Sequence, residues 1–287
     1  MNTLIELFSY DFFLNAFWAS LFAAISCGIV GTYIVSRRIV FISGGITHAS
    51  FGGIGIGYFL GLNPLVGAAF FAVFSALGIQ FFTHQGKLRE DSSIAIWWSL
   101  GMAIGIIFVY LTPGYAPNLM SYLFGSILTV STTEIWLMAA LSLLLILFFS
   151  FMYRIILYIA FDEEFSKTTG LPVKFINYLL ISLIAITIVL NIRVVGIILI
   201  LSLLTLPQAM ANLFTNDFKK MMILSIAFAF TGSFAGLVVS FFADIPSGAS
   251  VIFTLVVLFG LTKWITYLFG KRAKRGKNFA GTGAINT

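Results

Sequence analysis

Long apolar runs, separated by short polar breaks, follow one another along almost the whole chain. Stretches such as 179–190 and 251–261 are apolar on every side, whereas the strands of a membrane barrel alternate apolar and polar residues. Only 9% of the residues are charged, well below the roughly 25% of a soluble domain. The sequence therefore predicts an all-α, polytopic membrane protein and excludes the soluble and disordered classes.

The apolar runs predict eight or nine transmembrane helices, since each crossing of the hydrocarbon core needs about 20 residues. They form a single transmembrane domain over residues 1–270, followed by a basic tail over residues 271–287. The connections are too short for a soluble catalytic domain, and no G-x-x-x-x-G-K-[ST] loop is present, so we do not expect an enzyme. The predicted spans are 12–34, 40–61, 64–83, 92–112, 133–153, 175–192, 194–214, 221–243 and 249–269.

The basic residues predict the orientation of the chain. If the Arg37-Arg38 turn is cytoplasmic, fifteen of the sixteen Lys and Arg residues lie on the cytoplasmic side and only Arg193 lies outside. The positive-inside rule favours this arrangement. We therefore expect the N-terminus outside and the C-terminus in the cytoplasm. The basic clusters are short and lack interleaved stacking aromatics, so no nucleic-acid partner is expected.

Two connections are too long to be plain turns. The outer one, 113–132, contains an apolar segment that is too short to cross, which predicts a re-entrant or surface helix. The inner one, 154–174, places Phe161 and Phe165 one helical turn apart with acidic residues between them. This pattern predicts a short amphipathic helix within 160–172. Its acidic face favours a protein partner over an anionic lipid surface.

The second span carries the most polar stretch of any predicted helix, residues 43–50. His48 lies about 12 Å from the cytoplasmic start of this span, at 1.5 Å per residue. Its glycine-rich face must meet another helix closely or line a cavity. A neutral imidazole there can bind a divalent transition metal, and the alternative is a structural histidine bonded to a neighbouring helix. The candidate pathway residues are Ser43, Gly44, Thr47 (a possible second group), His48 and Gly52.

Six ordered motifs lie between Arg37 and Ala249, and the similarity that they carry runs over roughly residues 12–269. They are Arg37-Arg38-x-Val40-Phe41-Ile42-Ser43 with His48-Ala49, Glu90-Asp91-Ser92, Leu119-Met120-Ser121-Tyr122-Leu123-Phe124-Gly125, Phe161-Asp162-Glu163-Glu164-Phe165 with Gly170-Leu171-Pro172, Val194-Val195-Gly196, and Asp244-Ile245-Pro246-Ser247-Gly248-Ala249. In this order they resemble the permease subunit of bacterial ABC importers for zinc, manganese or iron.

The resemblance implies a membrane-only subunit of the bacterial cytoplasmic membrane, surrounded by membrane lipid, that forms a homodimer around a central pathway. An extracytoplasmic binding protein would deliver the metal, and separate cytoplasmic ABC ATPase subunits would bind and hydrolyse ATP. The transported divalent metal would be the cargo, with no permanently bound cofactor. The segment implied to couple to the ATPase comprises Phe161, Asp162, Glu163, Glu164, Phe165, Gly170 and Pro172.

One departure from the resembled family concerns the metal. Family members usually carry Asp-x-x-x-His in the second span, and here Gly44 stands in place of that Asp. Keeping the imidazole without the carboxylate shifts the preference from manganese toward zinc. Asn118 likewise replaces a frequent Asp. We therefore expect zinc import first, then manganese or iron, and the alternative is an ion-coupled secondary carrier or channel without an ATPase.

Overall fold

The computed structural model describes residues 7–84, 86, 88–114 and 119–281. These residues contain helices and no strand, which confirms the all-α prediction. The helices are α1 (Asp11–Ser36), α2 (Val40–Phe59), α3 (Pro64–His84), α4 (Glu90–Leu111), α5 (Leu119–Phe124), α6 (Thr132–Phe151), α7 (Tyr153–Phe161), α8 (Glu163–Thr168), α9 (Val173–Val195), α10 (Ile200–Leu203), α11 (Leu206–Asn212), α12 (Phe218–Ala243) and α13 (Ser247–Gly281).

Eight of these helices are long and apolar enough to cross a membrane: α1, α2, α3, α4, α6, α9, α12 and the first part of α13. They form two groups. In one group α2 packs against α3 and α4, and in the other α1 packs against α6 and α12. Helix α9 contacts both groups, so it joins them into one bundle.

The bundle has two distinct ends. At the basic end, Arg37 after α1 contacts the start of α8, and Tyr153 of α7 lies 6.2 Å from the ring of Phe218 at the start of α12. At the opposite end, called the glycine end here, Gly125, Gly196 and Gly248 meet backbone to backbone. The predicted basic tail begins within α13, which continues to Gly281, and residues 282–287 lie outside the described residues.

Glycines allow α2 to approach its neighbours at backbone distance. A Cβ atom on Gly53 would overlap the carbonyl group of Gly67 in α3, and one on Gly52 would lie 2.8 Å from the carbonyl oxygen of Gly101 in α4. Lipid tails are as apolar as the helices, so transmembrane helices associate through such close van der Waals contacts. As a result α2, which carries the polar stretch 43–50, is the most buried of the eight spans at 78%.

Two buried amide side chains form hydrogen bonds with helix α1. Asn191 of α9 donates to the Ser26 hydroxyl over 3.0 Å, and Gln208 of α11 donates to the Cys27 carbonyl over 2.8 Å. Each bond satisfies a buried amide nitrogen, which would be costly to leave unpaired in hydrocarbon. These contacts hold α9 and α11 against the middle of α1.

The predicted continuous span over 194–214 is wrong. Helix α9 ends where Gly196 takes a φ of 83°, and the chain continues as two short helices, α10 and α11. Pro207 lies in the first turn of α11, a position where its missing N–H is tolerated. In the interior of a continuous helix, Pro207 would remove a backbone hydrogen bond. Because α9 ends at the glycine end and α12 starts at the basic end, this interrupted segment still passes from one end to the other.

The short outer helix predicted within 113–132 is present as α5. The turn after it brings Gly125 (φ 74°) against Gly196, and the Ile197 amide donates to the Tyr122 carbonyl over 2.9 Å. The guanidinium of Arg193 lies 2.9 Å from the Glu134 carboxylate and 5.2 Å from the Tyr122 ring. The segment is therefore anchored to the end of α9. Residues 115–118, including Asn118, lie outside the described residues.

We expect Gly53→Ala to destabilise the protein, because the added methyl group overlaps the α3 backbone at Gly67. Overpacking of this kind costs about 1–3 kcal/mol, which outweighs the gain of up to about 1 kcal/mol in helix propensity. The measurement is thermal unfolding of the purified protein in a single detergent.

Gly44→Ala is the matched control, because it makes the same change in the same helix. A Cβ atom there has the Leu201 side chain as its nearest neighbour, at 3.8 Å. This variant should unfold at the wild-type temperature or above it. Equal destabilisation by both substitutions would contradict the close glycine packing of α2.

Candidate functional site

The imidazole of His48 lies against the indole of Trp98 from α4. The two ring centroids are 4.2 Å apart and the ring planes differ by 5°. Both side chains are partly exposed at the surface of the bundle. Stacking uses the face of the imidazole and leaves its two nitrogens, which lie on the ring edge, outside the contact. Among the described residues His48 makes a ring contact and no hydrogen bond, whereas the structural alternative required a hydrogen bond to a neighbouring helix.

A space lies one helical turn before His48. Gly44 is buried, yet a Cβ atom built on it has only the Leu201 side chain within 4 Å, at 3.8 Å. Leu201 belongs to α10, so the interrupted segment forms the wall beside this position. A longer side chain at position 44 therefore has room to extend toward the imidazole, since i and i+4 lie on the same helix face.

The other predicted pathway residues of α2 are used inside the bundle. The Ser43 hydroxyl donates to the Val40 carbonyl and the Thr47 hydroxyl donates to the Ser43 carbonyl, each over 2.6 Å. Gly52 packs against the α4 backbone. The structure thus leaves space beside the buried Gly44, one helical turn before the half-buried His48. The pathway roles of all five residues stay predictions.

The inner connection forms two short helices where the sequence predicted one. Helix α7 ends at Phe161, Asp162 is extended (φ −149°, ψ 93°), and its carboxylate accepts the Phe165 amide over 2.9 Å at the start of α8. Asp is a preferred N-cap because it satisfies such an amide. After α8 the chain turns at Gly170 (φ 76°) and enters α9 after Pro172.

The acidic residues of this connection face different environments. Glu164 is exposed, with 86% of its side chain accessible, beside the exposed rings of Phe161 and Phe165. Glu163 points inward, and only 18% of its side chain is accessible. The surface formed by Phe161, Glu164 and Phe165 is called the docking surface below.

Glu163 joins α8 to the end of α1. Its carboxylate lies 2.8 Å from the Arg37 guanidinium, which also donates to the Ile159 carbonyl over 2.6 Å. Lys167 approaches the same carboxylate at 3.3 Å. Burial opposes ionisation of Glu163, but the hydrogen bond and charge of Arg37, with those of Lys167, outweigh it and hold the pKa of Glu163 below its ordinary value.

The sequence indicated Arg37 as a topology signal and as part of the first motif, but not as the partner of Glu163, and it did not indicate Trp98 or Leu201. Trp98 is one of many aromatic residues in apolar runs, and nothing in its spacing marks it as the neighbour of His48. The helical period does place Glu163 and Glu164 on different sides of α8, since consecutive residues differ by about 100°. That signal indicates two different environments for the carboxylates, but not which of the two carboxylates faces inward.

The ABC 3 transport family matches residues 9–266 of the chain. The chain belongs to the ABC 3 transport family. This confirms the resemblance that the six motifs indicated, and the match covers all eight long helices through residue 266 of α13.

Relatives of this ABC 3 family member align over most of their length. A membrane protein of Synechocystis sp. is 40% identical over 252 residues, covering 88% of this chain and 90% of the relative. The manganese transport system membrane protein MntC of Halalkalibacterium halodurans is 32% identical over 277 residues, covering 94% and 95%. The solved structure of PsaBC from Streptococcus pneumoniae in complex with Fab superposes with a TM-score of 0.81 at 29% identity, covering 90% of this chain and 95% of that chain.

We expect Glu163→Gln to lower the free energy of unfolding by roughly 1.5–3 kcal/mol at neutral pH, as loss of a hydrogen bond between charged groups does. Because the pKa of Glu163 is depressed in the folded state, the ion pair stabilises fully above the ordinary pKa near 4.5. This stabilisation is lost as the pH falls through the lower folded-state value. The measurement is thermal unfolding over a pH series.

Glu164→Gln is the matched control, since it removes the same charge from the exposed neighbour. It should change stability little at any pH, because exposed ion pairs contribute little. If Glu163→Gln were as stable as wild type at neutral pH, the stabilising role of the Glu163–Arg37 pair would be contradicted. A stability difference between Glu163→Gln and wild type that stays constant as the pH falls would also contradict it.

Proposed function

We propose that this chain is the membrane subunit of an ATP-driven importer for a divalent transition metal in the bacterial cytoplasmic membrane. The observation that carries the proposal is the imidazole of His48, half-buried in a transmembrane helix, stacked on Trp98 with its nitrogen edge outside the stack. In a member of the ABC 3 transport family with a relative named for manganese transport, this imidazole is the best candidate to bind the metal.

A single imidazole cannot hold a metal ion alone. The described residues contain no group of three His, Cys, Asp or Glu side chains that could do so. His48 lies at the surface of the bundle, so a second copy of the chain can bring its own His48 to the same ion. We therefore propose a homodimer in which two imidazoles, with water or a binding-protein group, form a transient site.

Ligand chemistry favours zinc over manganese at this site. Imidazole nitrogen suits zinc, whereas carboxylate oxygen suits manganese, and Gly44 supplies no carboxylate. The relative named for manganese transport supports manganese as the second candidate, and iron is the third. The space at Gly44 is therefore proposed to set the metal preference.

The basic end supports the proposed orientation in the membrane. Arg37, Arg154, Lys167 and Lys219 are gathered there, and the positive-inside rule favours a cytoplasmic position for such an end. The docking surface is then available to a cytoplasmic ATPase. The glycine end faces outward, where an extracytoplasmic binding protein would release the metal.

The alternative of an ion-coupled carrier has less support. Such carriers commonly use carboxylates near the membrane midplane. In the described spans the carboxylates lie only at helix starts, at Asp11, Glu90, Asp91 and Glu134. An exposed pair of phenylalanines beside Glu164, on a connection outside the spans, favours a partner protein as the energy source.

We expect His48→Gln to reduce uptake of zinc and manganese by at least about tenfold, because the amide keeps the volume and polarity but loses the metal–nitrogen bond. Uptake is measured in proteoliposomes that contain the chain, its ATPase and its binding protein. Ser50→Ala is the control, because Ser50 is a buried residue of the same helix whose hydroxyl is engaged within α2. Normal uptake by His48→Gln would refute the metal role.

Gly44→Asp should broaden uptake toward manganese in the same assay. The carboxylate would sit one turn from His48, in the space beside Leu201, and would supply the oxygen ligand that manganese prefers. An unchanged ratio of zinc to manganese uptake would contradict the proposed origin of the preference.

We expect Glu164→Lys combined with Phe165→Ala to reduce co-purification of the ATPase about tenfold while the chain stays folded. Both side chains are exposed, so their loss affects a partner more than the fold, and an anchor residue of an interface is worth about 2 kcal/mol or more. Lys220→Glu is the control, a charge reversal at an exposed position of the same end. Unchanged ATPase recovery would exclude this docking surface.

A further inference from the structure

A groove of about 990 Å³ opens at the basic end between the last turns of α3 and the first turns of α9. Its apolar walls are Leu77 and Phe81 on one side and Phe175 and Tyr178 on the other. Lys167 and Lys174 line the same groove. Nothing in the metal pathway or the docking surface uses this feature.

The apolar walls of the groove extend into the depth of the membrane. Leu77 precedes the end of α3 by seven residues, or about 10 Å at 1.5 Å per residue. Phe175 and Phe81 expose 68% and 48% of their surfaces. Both belong to membrane-spanning helices. A cytoplasmic protein does not reach this depth, so the walls suit an acyl chain better than a partner protein.

The mouth of the groove carries an uncompensated positive charge. Lys167 lies 2.7 Å from Glu164 and 3.3 Å from Glu163, so its charge is offset. Lys174 is exposed and forms no ion pair with any described residue. It lies at the start of α9, which begins without a side-chain cap, so the positive end of the helix dipole adds to its charge.

We propose that this groove binds one anionic phospholipid of the leaflet at the basic end. The lipid phosphate lies at the mouth beside Lys174 and the start of α9, with the ion-paired Lys167 at its edge, and one acyl chain lies along Phe81 and Leu77 opposite Phe175 and Tyr178. A zwitterionic lipid brings its own positive group to the mouth and loses the net attraction. Because Lys167 belongs to α8, the bound headgroup also lies beside the connection that carries the docking surface.

The test is native mass spectrometry of the full-length protein released from nanodiscs that contain equal amounts of phosphatidylglycerol and phosphatidylcholine. We expect phosphatidylglycerol to be retained in preference to phosphatidylcholine. Lys167→Gln with Lys174→Gln should lower its retention about fivefold or more, since a lysine near an anionic headgroup contributes about that factor. Arg154→Gln with Lys220→Gln is the matched control, with the same loss of charge at the same end but outside the groove.

Three results would overturn the proposal. The first is equal retention of the two lipids by the wild-type protein, and the second is an equal loss of phosphatidylglycerol in the two double variants. The third is a result in which the double variant Lys167→Gln, Lys174→Gln retains the lipid as the wild type does but no longer co-purifies with the ATPase. That result would make the groove a protein interface. Thermal unfolding of each variant shows that it is folded, and the lipid assay does not depend on whether the chain transports metal.

Discussion

The backbone contact of α2 with α3 and α4 is the constraint on which the arrangement depends. In lipid no hydrophobic force drives helices together, so the close fit at Gly52, Gly53 and Gly55 has to supply the association. This fit buries α2 between α3 and α4, while Leu201 of the interrupted segment lies beside Gly44. The polar stretch 43–50 is therefore held inside the bundle, with His48 half-buried against Trp98 of α4.

The two ends of the bundle are held by different interactions. At the glycine end, Gly125, Gly196 and Gly248 meet backbone to backbone, and Arg193 is offset by Glu134. At the basic end, Arg37 ties α8 to α1, immediately before the turn that leads into α2. Arg38 in that turn has a φ of 60°, an uncommon conformation for a residue with a side chain. Arg37 therefore ties the position of α8 to the turn between α1 and α2.

The sequence predicted most of the fold because length and apolarity determine membrane helices. Eight of the nine predicted spans are continuous helices, and 194–214 is interrupted because a local break at Gly196 and Pro207 overrides its apolar composition. The sequence also singled out His48, since a polar side chain in an apolar helix is conspicuous. The stack on Trp98 and the pairing of Glu163 with Arg37 depend on how distant segments pack, and a single sequence does not contain that information directly.

The proposed transport depends on binding of the transported ion by the His48 imidazole. X-ray absorption spectroscopy at the zinc edge tests this binding. The sample is a reconstituted membrane that contains this chain, its ATPase and its binding protein, loaded with zinc. After the binding protein has delivered zinc to the membrane chain, the zinc that remains on the binding protein is removed. If His48 binds the ion, the wild-type complex should show nitrogen scatterers at about 2.0–2.1 Å from zinc, the distance of a zinc–imidazole bond. These scatterers should be lost in His48→Gln. An identical nitrogen shell in both proteins, or no zinc retained by the wild-type membrane chain, would contradict this binding.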